Sequence, residues 1–571
     1  MKKFENFIYR ILESKPKKML VIVLVLASLA ASIMMIPTET VWVKMLPGKS
    51  ANTFSVYIDL PTGSSIEQTR VVSECVLDVL KKEKEITDIE TYLGMGAPLD
   101  YAGLVKGSAF KNSENVAEMV VNLTDKHERE ERSYNMVHRL RPVIKKKCEP
   151  IVPQTSIKLI EQPAGPPTLA SIVAEIYTPN EKTRRAFAER VAEVFRHTPG
   201  LVDVDIMEDE IFKKFHLKPN IDKIQKSGLA VEQVQKILYL AFQGMGVGVK
   251  NSENYPAQIE LFLRLSDETR RFDDKSLAAV KEKLTSFELM NQKGMMVPLM
   301  EVVDLVEVEN EPTIMHKNLR RYTNVLAETD LVSQVYPLLD ARKEIMEKFA
   351  KDYEIETTDY LFNLRFKDKK TGEIIDLKWD GEMKVTLDTF RDLGLAFIAA
   401  LILIYLLIVV YYKSYSLSNI VMAGSFLSII GVIVGHWIAD LVTKDTFFLT
   451  ATSLIGFIAL MGISSRNSIL LIDFAKSLMI NKHIPKRRSI AIATATRARP
   501  IMLTAIAIIL GSALLASDPI FGGLGVALIG GTVAAVIVSL LFIPVLMDNA
   551  KAMDFTTEEA MSEEEYREKH G

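Results

Sequence analysis

The sequence predicts an α-helical membrane protein with six transmembrane helices, one before and five after a large exported region of α+β structure. Long apolar runs occur near both ends of the 571-residue chain, whereas the middle is charged and resembles a soluble domain in composition. Within the middle, alternating apolar and polar residues indicate strands, and a strand–helix pattern occurs twice. The net charge of −3 implies neither a strongly basic nor a strongly acidic partner, and we predict no nucleic-acid partner.

The first apolar run, residues 19–36, has the length that crosses a bilayer and follows Lys15, Lys17 and Lys18. A secretory signal peptide has the same charge polarity and is the alternative. The run is longer than a typical signal-peptide core, and further spans follow it, so we expect a retained helix. Residues 1–37 would then form a cytoplasmic amphipathic helix and the first transmembrane helix.

Five further apolar runs predict the remaining spans. They cover residues 393–412, 417–440, 447–478, 501–517 and 522–547. The run at 447–478 is longer than one crossing needs, so we expect it to bend or to extend into the cytoplasm.

Basic residues predict the orientation of these spans. They precede the first span, occupy the turn at Lys413 between the second and third, and fill the loop predicted between the fourth and fifth. That loop carries Lys482, Lys486, Arg487, Arg488, Arg497 and Arg499. With six crossings all these groups lie on one side, which the positive-inside rule identifies as the cytoplasm. The sequence therefore predicts an inner-membrane protein with residues 38–390 periplasmic, both termini cytoplasmic and an acidic, solvated tail at 549–571.

The exported region begins with elements in the order β-α-β-β-α-β, the ferredoxin-like split motif. Strands are predicted at 54–60, 86–93, 116–123 and 156–161, with helices after a capping box of Ser64 with Glu67 and at 132–146. The two cysteines, Cys75 and Cys148, fit no zinc or redox motif. We expect two buried thiols, and a disulfide is the alternative if this region is exported.

A second copy of the pattern is interrupted by an insertion. Its strands are predicted at 171–178, 202–207 and 324–329, its helices at 181–197 and 331–349, and the insertion at about 210–320 with a helix at 230–241 and a strand at 259–265. The glycine-rich stretch GMGVGV (244–249) loosely resembles a phosphate-binding loop, but it follows a helix and no Walker A sequence occurs. We therefore predict a turn there and no cofactor. The methionines of GMMVPLM (294–300) and the eight scattered histidines predict no metal site.

The fourth span contains GISSRNSILLIDF (462–474), in which Arg466 and Asp473 are charged. Seven residues make nearly two helical turns, so these side chains share a face about 10 Å apart along the axis. Asn467 and Ser468 add small or polar groups around that face, which suits close helix packing. A charge inside a bilayer costs from ~2.5 to more than ~10 kcal/mol, so Arg466 needs a partner unless it snorkels to a helix end.

This layout of one plus five spans around an exported insertion resembles half of a resistance-nodulation-division (RND) efflux permease of the acriflavin-resistance type. The most specific stretches are DLPTGSSIEQT (59–69), KWDGEMKVTLDTFRDLG (378–394), GFIALMGISSRNSILLIDFAK (456–476) and RARPIMLTAIAIILG (497–511). The resemblance covers essentially the whole chain and implies two ferredoxin-like porter subdomains and a docking insertion. It implies a first porter subdomain at 38–165, a second at 166–209 and 321–390, a docking-type insertion at 210–320, and five helices at 391–548.

The resemblance also implies a set of site residues. In the family, the N-terminal half carries two adjacent aspartates in its fourth helix, and the C-terminal half has a basic residue followed by Asn. Arg466 and Asn467 match the C-terminal half, with Asp473 in the same helix. Drug-efflux members commonly have lysine at the position of Arg466. Because a guanidinium keeps its proton, Arg466 would act as a fixed charge and not as a proton carrier.

Arg497 and Thr504 match the family's proton-relay positions. The alternatives are cytoplasmic anchoring for the arginine and, for Thr504, a hydroxyl bonded to its own helix. No adjacent acidic pair lies within any predicted span, so the chain lacks the family's proton-binding aspartates. An N-terminal-half permease chain would have to supply them, and three such pairs would form a trimer.

The resemblance therefore implies a half-permease subunit of a proton-motive-force-driven efflux pump for amphiphilic drugs or similar small molecules. It would be a secondary transporter and not an enzyme, with a periplasmic adaptor, an outer-membrane channel and membrane lipid as further partners. The alternatives are a heavy-metal efflux subunit, a non-catalytic membrane scaffold, and a homo-oligomeric transporter with Asp473 as proton acceptor. A fragment of a longer permease is also open at this point.

Overall fold

The computed structural model describes residues 2–48, 50–254, 258–272, 274, 276–360, 362–443 and 446–555. The chain forms two compact units, one of Met1–Met207 with Met315–Gly571 and the other of Glu208–Ile314. Among its described residues, the larger unit contains six helices that are long and apolar enough to cross a membrane, one before and five after its sheets. From residue 556 onward, the predicted acidic tail lies outside the described residues.

Two helices precede the first sheet, α1 (Lys2–Glu13) and α2 (Lys15–Met34). α1 is amphipathic and buries Ile8, Tyr9 and Leu12. α2 is the first candidate span, and most of its apolar side chains are exposed, as expected for a helix that faces lipid.

The first split unit is a four-stranded antiparallel sheet covered on one face by two long helices. Its elements are β1 (Thr53–Asp59), α3 (Ile66–Leu80), β2 (Ile86–Leu93), α4 (Gly103–Lys106), β3 (Val116–Leu123), α5 (Ser133–Cys148) and β4 (Ser156–Glu161). The strands predicted at 86–93, 116–123 and 156–161 are confirmed. The sheet order β2-β3-β1-β4 is that of the split motif, and a closed core of β-strand and helix side chains, including Phe54, Val72 and Met136, lies between the layers.

Two predictions for this unit were wrong. The capping box of α3 uses Ser65 and Gln68, one residue later than the predicted pair, because the helix begins at Ile66. Cys75 and Cys148 form a disulfide and are not two free thiols. The reason is geometric: α3 and α5 lie side by side on the same face of the sheet, which brings the two Cα atoms to 5.8 Å, within disulfide range.

The second split unit begins with β5 (Ile172–Tyr177), α6 (Glu181–His197) and β6 (Leu201–Met207), and α6 has the predicted bounds. The inserted unit then follows. Its elements are β7 (Lys213–Pro219), α7 (Ile221–Lys226), α8 (Val231–Phe242), β8 (Met245–Lys250), β9 (Ile259–Leu263), α9 (Asp267–Arg270), α10 (Leu277–Thr285), β10 (Glu288–Met290), β11 (Met296–Pro298), α11 (Leu299–Val302) and β12 (Val303–Glu309). The turn predicted at GMGVGV was wrong, because these residues pair as β8 with β9 in a hairpin.

The second split unit resumes after the insertion. Its remaining elements are β13 (His316–Lys317), β14 (Arg320–Thr329), α12 (Val335–Phe349), β15 (Tyr353–Thr357), β16 (Leu364–Asp368) and β17 (Ile374–Asp380). The sheet has seven strands in the order β13-β14-β5-β17-β16-β15, with β6 also paired to β14. β17, the last strand in the chain, therefore lies beside β5. The sequence interpretation missed the last three strands, β15, β16 and β17.

The helix bundle follows β17 directly. Its elements are α13 (Glu382–Tyr412), α14 (Tyr415–Phe426), α15 (Ile429–Val442), α16 (Ala451–Lys482), α17 (Lys486–Ala516), α18 (Gly522–Ile537) and α19 (Ile543–Asn549). α14 with α15 makes one candidate span, and α18 with α19 makes another, joined by a π-helical segment at 538–542. α15 and α18 pack so closely that a Cβ on Gly431 would lie 2.1 Å from the Gly530 carbonyl oxygen.

The start of α17 corrects the predicted loop between the fourth and fifth spans. The helix begins at Lys486, so Arg488 and Arg497 are helical. This basic part remains ordered because it packs on α1, where the Arg488 guanidinium lies 4.2 Å from the Tyr9 ring centre. At the same end of the bundle Asp548 accepts an ion pair of 2.7 Å from Lys18, which ties α2 to the end of α19.

Candidate functional site

α16 carries the charged stretch singled out in the sequence. Thr450 and Ser453 form a capping box at its start, and His483 ends it in the left-handed conformation. With 32 residues it is about 48 Å long, more than one bilayer crossing needs. Along one face the side chains are exposed at helical spacing. This open face consists of Ile455, Ala459, Gly462, Arg466 and Leu470.

Arg466 lies on this open face, and its side chain is exposed. Among the described residues it has no ion pair and no hydrogen bond. From Ala451 at the start of α16 to Arg466 the axial distance is about 22 Å, and from Arg466 to Asp473 it is about 10 Å. Arg466 is therefore distant from both helix ends, so simple snorkelling to an end is a poor account of its position.

Asp473 shares this side of α16 but does not pair with Arg466. Its carboxylate accepts hydrogen bonds from the hydroxyls of Tyr412 at 2.9 Å and Tyr411 at 3.3 Å, the last two residues of α13. The Tyr412 hydroxyl also lies 3.4 Å from the Ile469 carbonyl oxygen. Asp473 therefore lies beside the end of α13, and Arg466 lies about 10 Å from it along α16, toward the start of that helix.

The small polar residues next to Arg466 face the interior of the bundle. Asn467 and Ser468 are buried, and the Ser464 hydroxyl donates to the Gly424 carbonyl of α14 at 2.9 Å. A Cβ on Gly424 would lie 2.8 Å from the Ser468 hydroxyl oxygen. Ser464 and Ser468 therefore serve close packing of α16 on α14, Asn467 is buried beside them, and these residues do not surround the charged face as the sequence interpretation expected.

Arg497 and Thr504 lie on α17, beside α16. The Arg497 guanidinium is 4.9 Å from the centre of the Phe474 ring, and its Nε is buried without a hydrogen-bond partner among the described residues. The Thr504 hydroxyl donates to the Ile501 carbonyl of its own helix at 2.9 Å. This is the arrangement that the sequence analysis gave as the alternative to a proton-relay position. Because α16 and α17 run antiparallel and Arg497 lies opposite Phe474, Thr504 is at about the depth of Arg466.

The six long helices hold no pair of adjacent acidic residues in their described parts. Asp388 and Asp392 are within α13 and not before it, because that helix starts at Glu382. Asp440, near the end of α15, accepts a hydrogen bond of 2.7 Å from the Phe447 amide in the segment that follows this helix. The part of the chain that the structure describes also contains no group of three or more residues suited to hold a metal ion.

Sequence reasoning missed the tyrosine pair that holds Asp473. The only local signal is the position of Tyr411 and Tyr412 at the end of an apolar run, 61 and more residues before Asp473 in the chain. It also missed the stacking of Arg497 on Phe474, because an apolar residue in an apolar helix gives no sign of its neighbour.

Comparison with known proteins identifies the family of this chain. A sequence model of the AcrB/AcrD/AcrF family matches residues 1–548. The chain belongs to the AcrB/AcrD/AcrF family. This is a family of RND permeases, so the protein is a multi-pass membrane protein of a transporter family and not a member of an enzyme family.

Individual relatives are distant and longer than this chain. It is 22% identical over 556 residues to the multidrug export protein AcrF of Escherichia coli (strain K12), covering 95% of this chain and 48% of AcrF. It is 22% identical over 384 residues to the swarming motility protein SwrC of Bacillus subtilis (strain 168), covering 65% of this chain and 32% of SwrC. The chain thus spans about half the length of AcrF, and its matched part spans about a third of SwrC.

The fold resembles that of a solved transporter. A crystal structure of a heavy metal efflux pump superimposes with a TM-score of 0.70 and 18% sequence identity, covering 95% of this chain and 51% of that one. A second crystal form of a heavy metal efflux pump gives a TM-score of 0.68 over the same fractions. At this identity the likeness establishes the fold alone.

Proposed function

We propose that this chain is a half-permease of a proton-motive-force-driven RND efflux pump that exports amphiphilic drugs or similar small molecules. It works with an N-terminal-half permease that supplies the proton-binding aspartates. That half is either a separate chain or another part of the same polypeptide. Three such pairs form the working trimer, which operates with a periplasmic adaptor and an outer-membrane channel.

The open face of α16 carries this proposal. Arg466 is exposed there, deep in a candidate span and without a partner among the described residues. A charge that faces lipid at this depth costs at least ~2.5 kcal/mol, and a carboxylate on a covering helix would remove that cost. Ala459 and Gly462 lie on the same face, and among the described residues no atom outside the adjoining turns of α16 lies within 4 Å of a Cβ built on Gly462. Small residues of this kind allow another helix to approach closely.

In the proposed mechanism Arg466 is a fixed positive charge, because a guanidinium keeps its proton at any physiological pH. Aspartates of the covering helix pair with it when ionised, and uptake of protons weakens that attraction. The covering helix and α16 then shift relative to each other, with Asn467, Asp473, Arg497 and Thr504 as the adjoining relay and charge network. Asp473 is held on α13 by Tyr412 and so connects α16 to that helix.

α13 links the bundle to the exported region. The amide of Glu382 donates to the Ala170 carbonyl and that of Met383 to the Ser171 carbonyl, each at 3.1 Å. A movement of α13 therefore acts on the segment that leads into β5. We assign the two split units to the porter subdomains (38–165, and 166–209 with 321–390) and residues 210–320 to the docking insertion, with 38–390 periplasmic and both termini cytoplasmic. The Cys75–Cys148 disulfide supports an oxidising location for the first split unit.

The test is dye efflux from cells that express this chain together with its complementary half. Arg466→Ala is expected to lower the efflux rate more than tenfold, because loss of one member of a desolvated charge pair costs about 2–5 kcal/mol. Arg466→Lys keeps the charge and is expected to retain most of the activity. Arg499→Ala, which removes an exposed arginine of α17, is the matched control. Normal efflux by Arg466→Ala at equal expression would overturn the proposed role.

A second variant tests the covering helix directly. Gly462→Leu adds a bulky side chain where this chain has open space, so the isolated chain is expected to fold normally. Co-purification with the complementary half is expected to fail, because the leucine occupies the space of the covering helix. Normal assembly of Gly462→Leu would show that the open face of α16 faces lipid, and the scaffold alternative would then gain support.

A further inference from the structure

A seam of opposite charges joins the two split units. Every cation in the following pairs belongs to the first split unit and every carboxylate to the second. The pairs are Lys106–Glu328, Arg141–Asp203, Arg141–Asp330, Lys145–Asp203 and Lys158–Asp205. This sorting makes the contact between the units electrostatically complementary along its length.

Asp203 is the most deeply buried carboxylate of this seam. Asp203 is in the left-handed region (φ 52°), at a bulge where the register of β6 and β14 shifts. The bulge directs its carboxylate at α5, where Lys145 lies 2.7 Å away and Arg141 3.3 Å away. The Asp203 side chain is fully buried and that of Arg141 is 7% exposed. Aspartate adopts this conformation more readily than most non-glycine residues, and the two ion pairs fix the direction in which its carboxylate points.

Glu328 shows how strongly the closed seam stabilises charge. Burial alone would raise the pKa of this carboxyl, but Lys106 and the hydrogen bonds from Ser171 outweigh burial and lower the pKa. The Ser171 hydroxyl donates to Glu328 at 2.6 Å, and the Lys106 ammonium also reaches the Leu169 carbonyl. The ionised form of Glu328 is thus fully accommodated when the units are in contact.

Glu161 is the exception in the seam. It is a carboxylate at the end of β4, on the cationic side, and its side chain has no ion pair and no hydrogen bond among the described residues. It lines a cavity of about 140 Å³ together with Lys44, Lys106, Arg141 and Glu328, which leaves room for several waters. Glu382, the first residue of α13, lines the same cavity.

We propose that this seam is an ion-pair clasp between the two split units and that Glu161 makes its closure depend on pH. With Glu161 ionised, a partly buried carboxylate without a hydrogen bond or ion pair among the described residues lies in the seam and opposes closure. With Glu161 protonated, the charge disappears and the closed seam is favoured. The inference concerns this chain alone and holds whether or not the proposed transport function is correct.

The charges that face Glu161 are consistent with this behaviour. Burial raises the pKa of Glu161 from its ordinary 4.5 to about 7; Arg141 of α5 and Lys44 oppose the increase, whereas Asp330 and Glu328 add to it. When the seam is open, water reaches Glu161 and its pKa returns to the ordinary 4.5. The equilibrium constant for opening is therefore expected to rise about tenfold between pH 6 and pH 8.

Hydrogen exchange of the full chain in lipid nanodiscs tests the clasp. The readout is the exchange rate, corrected for the chemical effect of pH, of peptides from α5, β6 and the end of β14. In the unaltered chain it is expected to rise about tenfold from pH 6 to pH 8. Glu161→Gln is expected to exchange slowly at both pH values, because the glutamine stays neutral. Glu128→Gln, at an exposed site, is the matched control and should behave like the unaltered chain.

A charge reversal tests the ion pairs independently. Lys106→Glu is expected to speed exchange across the seam at both pH values. The double variant Lys106→Glu with Glu328→Lys is expected to slow exchange again in part, because the reversed pair keeps the charge attraction but loses the hydrogen bonds with Ser171 and Leu169. A tenfold rise that persists in Glu161→Gln would overturn the role of Glu161. Slow exchange in Lys106→Glu, or no rescue by the double variant, would overturn the clasp. An unaltered chain whose exchange ignores pH would also reject the proposal.

Discussion

The Cys75–Cys148 disulfide supports a quantitative prediction for the first split unit. The bond joins α3 to α5 across a sequence separation of 73 residues. In the chain-entropy treatment, a closed loop of that length stabilises the folded state by about 4 kcal/mol, because the crosslink restricts the unfolded chain. Reduction, or replacement of both cysteines by alanine, is expected to remove that contribution from the unit.

A loss of about 4 kcal/mol is smaller than the total stability of most domains. Domains of this kind have a total stability of about 5–15 kcal/mol, so the unit is expected to remain folded without the bond. The population of locally unfolded molecules should rise roughly a thousandfold, since each 1.4 kcal/mol is a factor of ten. Hydrogen exchange of peptides from β1, β3 and α5, measured in the full chain with and without reductant, reports that population.

Two results would refute this reasoning. The double alanine variant should exchange fast with or without reductant, and a response of that variant to reductant would show that the effect does not come from this bond. Thiol labelling of the denatured protein, as isolated from membranes, should find no free cysteine before reduction and two after it. Free thiols at that stage would contradict both the disulfide and the export of this region.

Three further predictions concern the bundle and the seam. Gly431→Ala should destabilise the chain by about 1–3 kcal/mol in thermal unfolding, because its Cβ would overlap the α18 backbone, whereas Gly511→Ala should be tolerated in open space. Tyr412→Phe removes the 2.9 Å hydrogen bond to Asp473 and should cost about 1 kcal/mol, measured by the same unfolding assay. Because the folded chain binds the Glu161 proton more tightly, the stability of the exported region, measured by unfolding at the two pH values, should fall by roughly 2.6 kcal/mol as the pH rises from about 4.5 to 7.

The sequence was most informative where one face of an element is buried. β3 and α6 were predicted with their observed bounds, since alternation and helical periodicity follow directly from a half-buried strand and a half-buried helix. β15 and β16 were missed because they are short, polar on one side and paired with each other, and β17 was missed although it pairs with both β16 and β5. The helical start of α17 was taken for a loop because of its charges, although the alanine-rich stretch AIATATRA favours helix.

At the candidate site the sequence placed Arg466 and Asp473 on one side of a helix but could not assign their neighbours. Asp473 is held by Tyr412, 61 residues earlier, through the packing of α13 on α16. The sequence also suggested that polar residues near Arg466 surround the charge. In the structure Ser464 and Ser468 face α14. Packing between helices decides which side chains of α16 are buried, and the spacing of residues along one helix does not.

The long helix α13 connects the two electrostatic features of this chain. At one end Tyr412 donates to Asp473 of α16, and at the other Glu382 lines the cavity that contains Glu161. Its 31 residues form a rod of about 46 Å, and helices bend little without proline or a bulge. A shift of α16 against a covering helix would therefore reach the cavity as a displacement of Glu382. Because the Glu161 side chain lines this cavity without a hydrogen-bond partner among the described residues, even a small further opening to water would favour its ionised form and weaken the clasp.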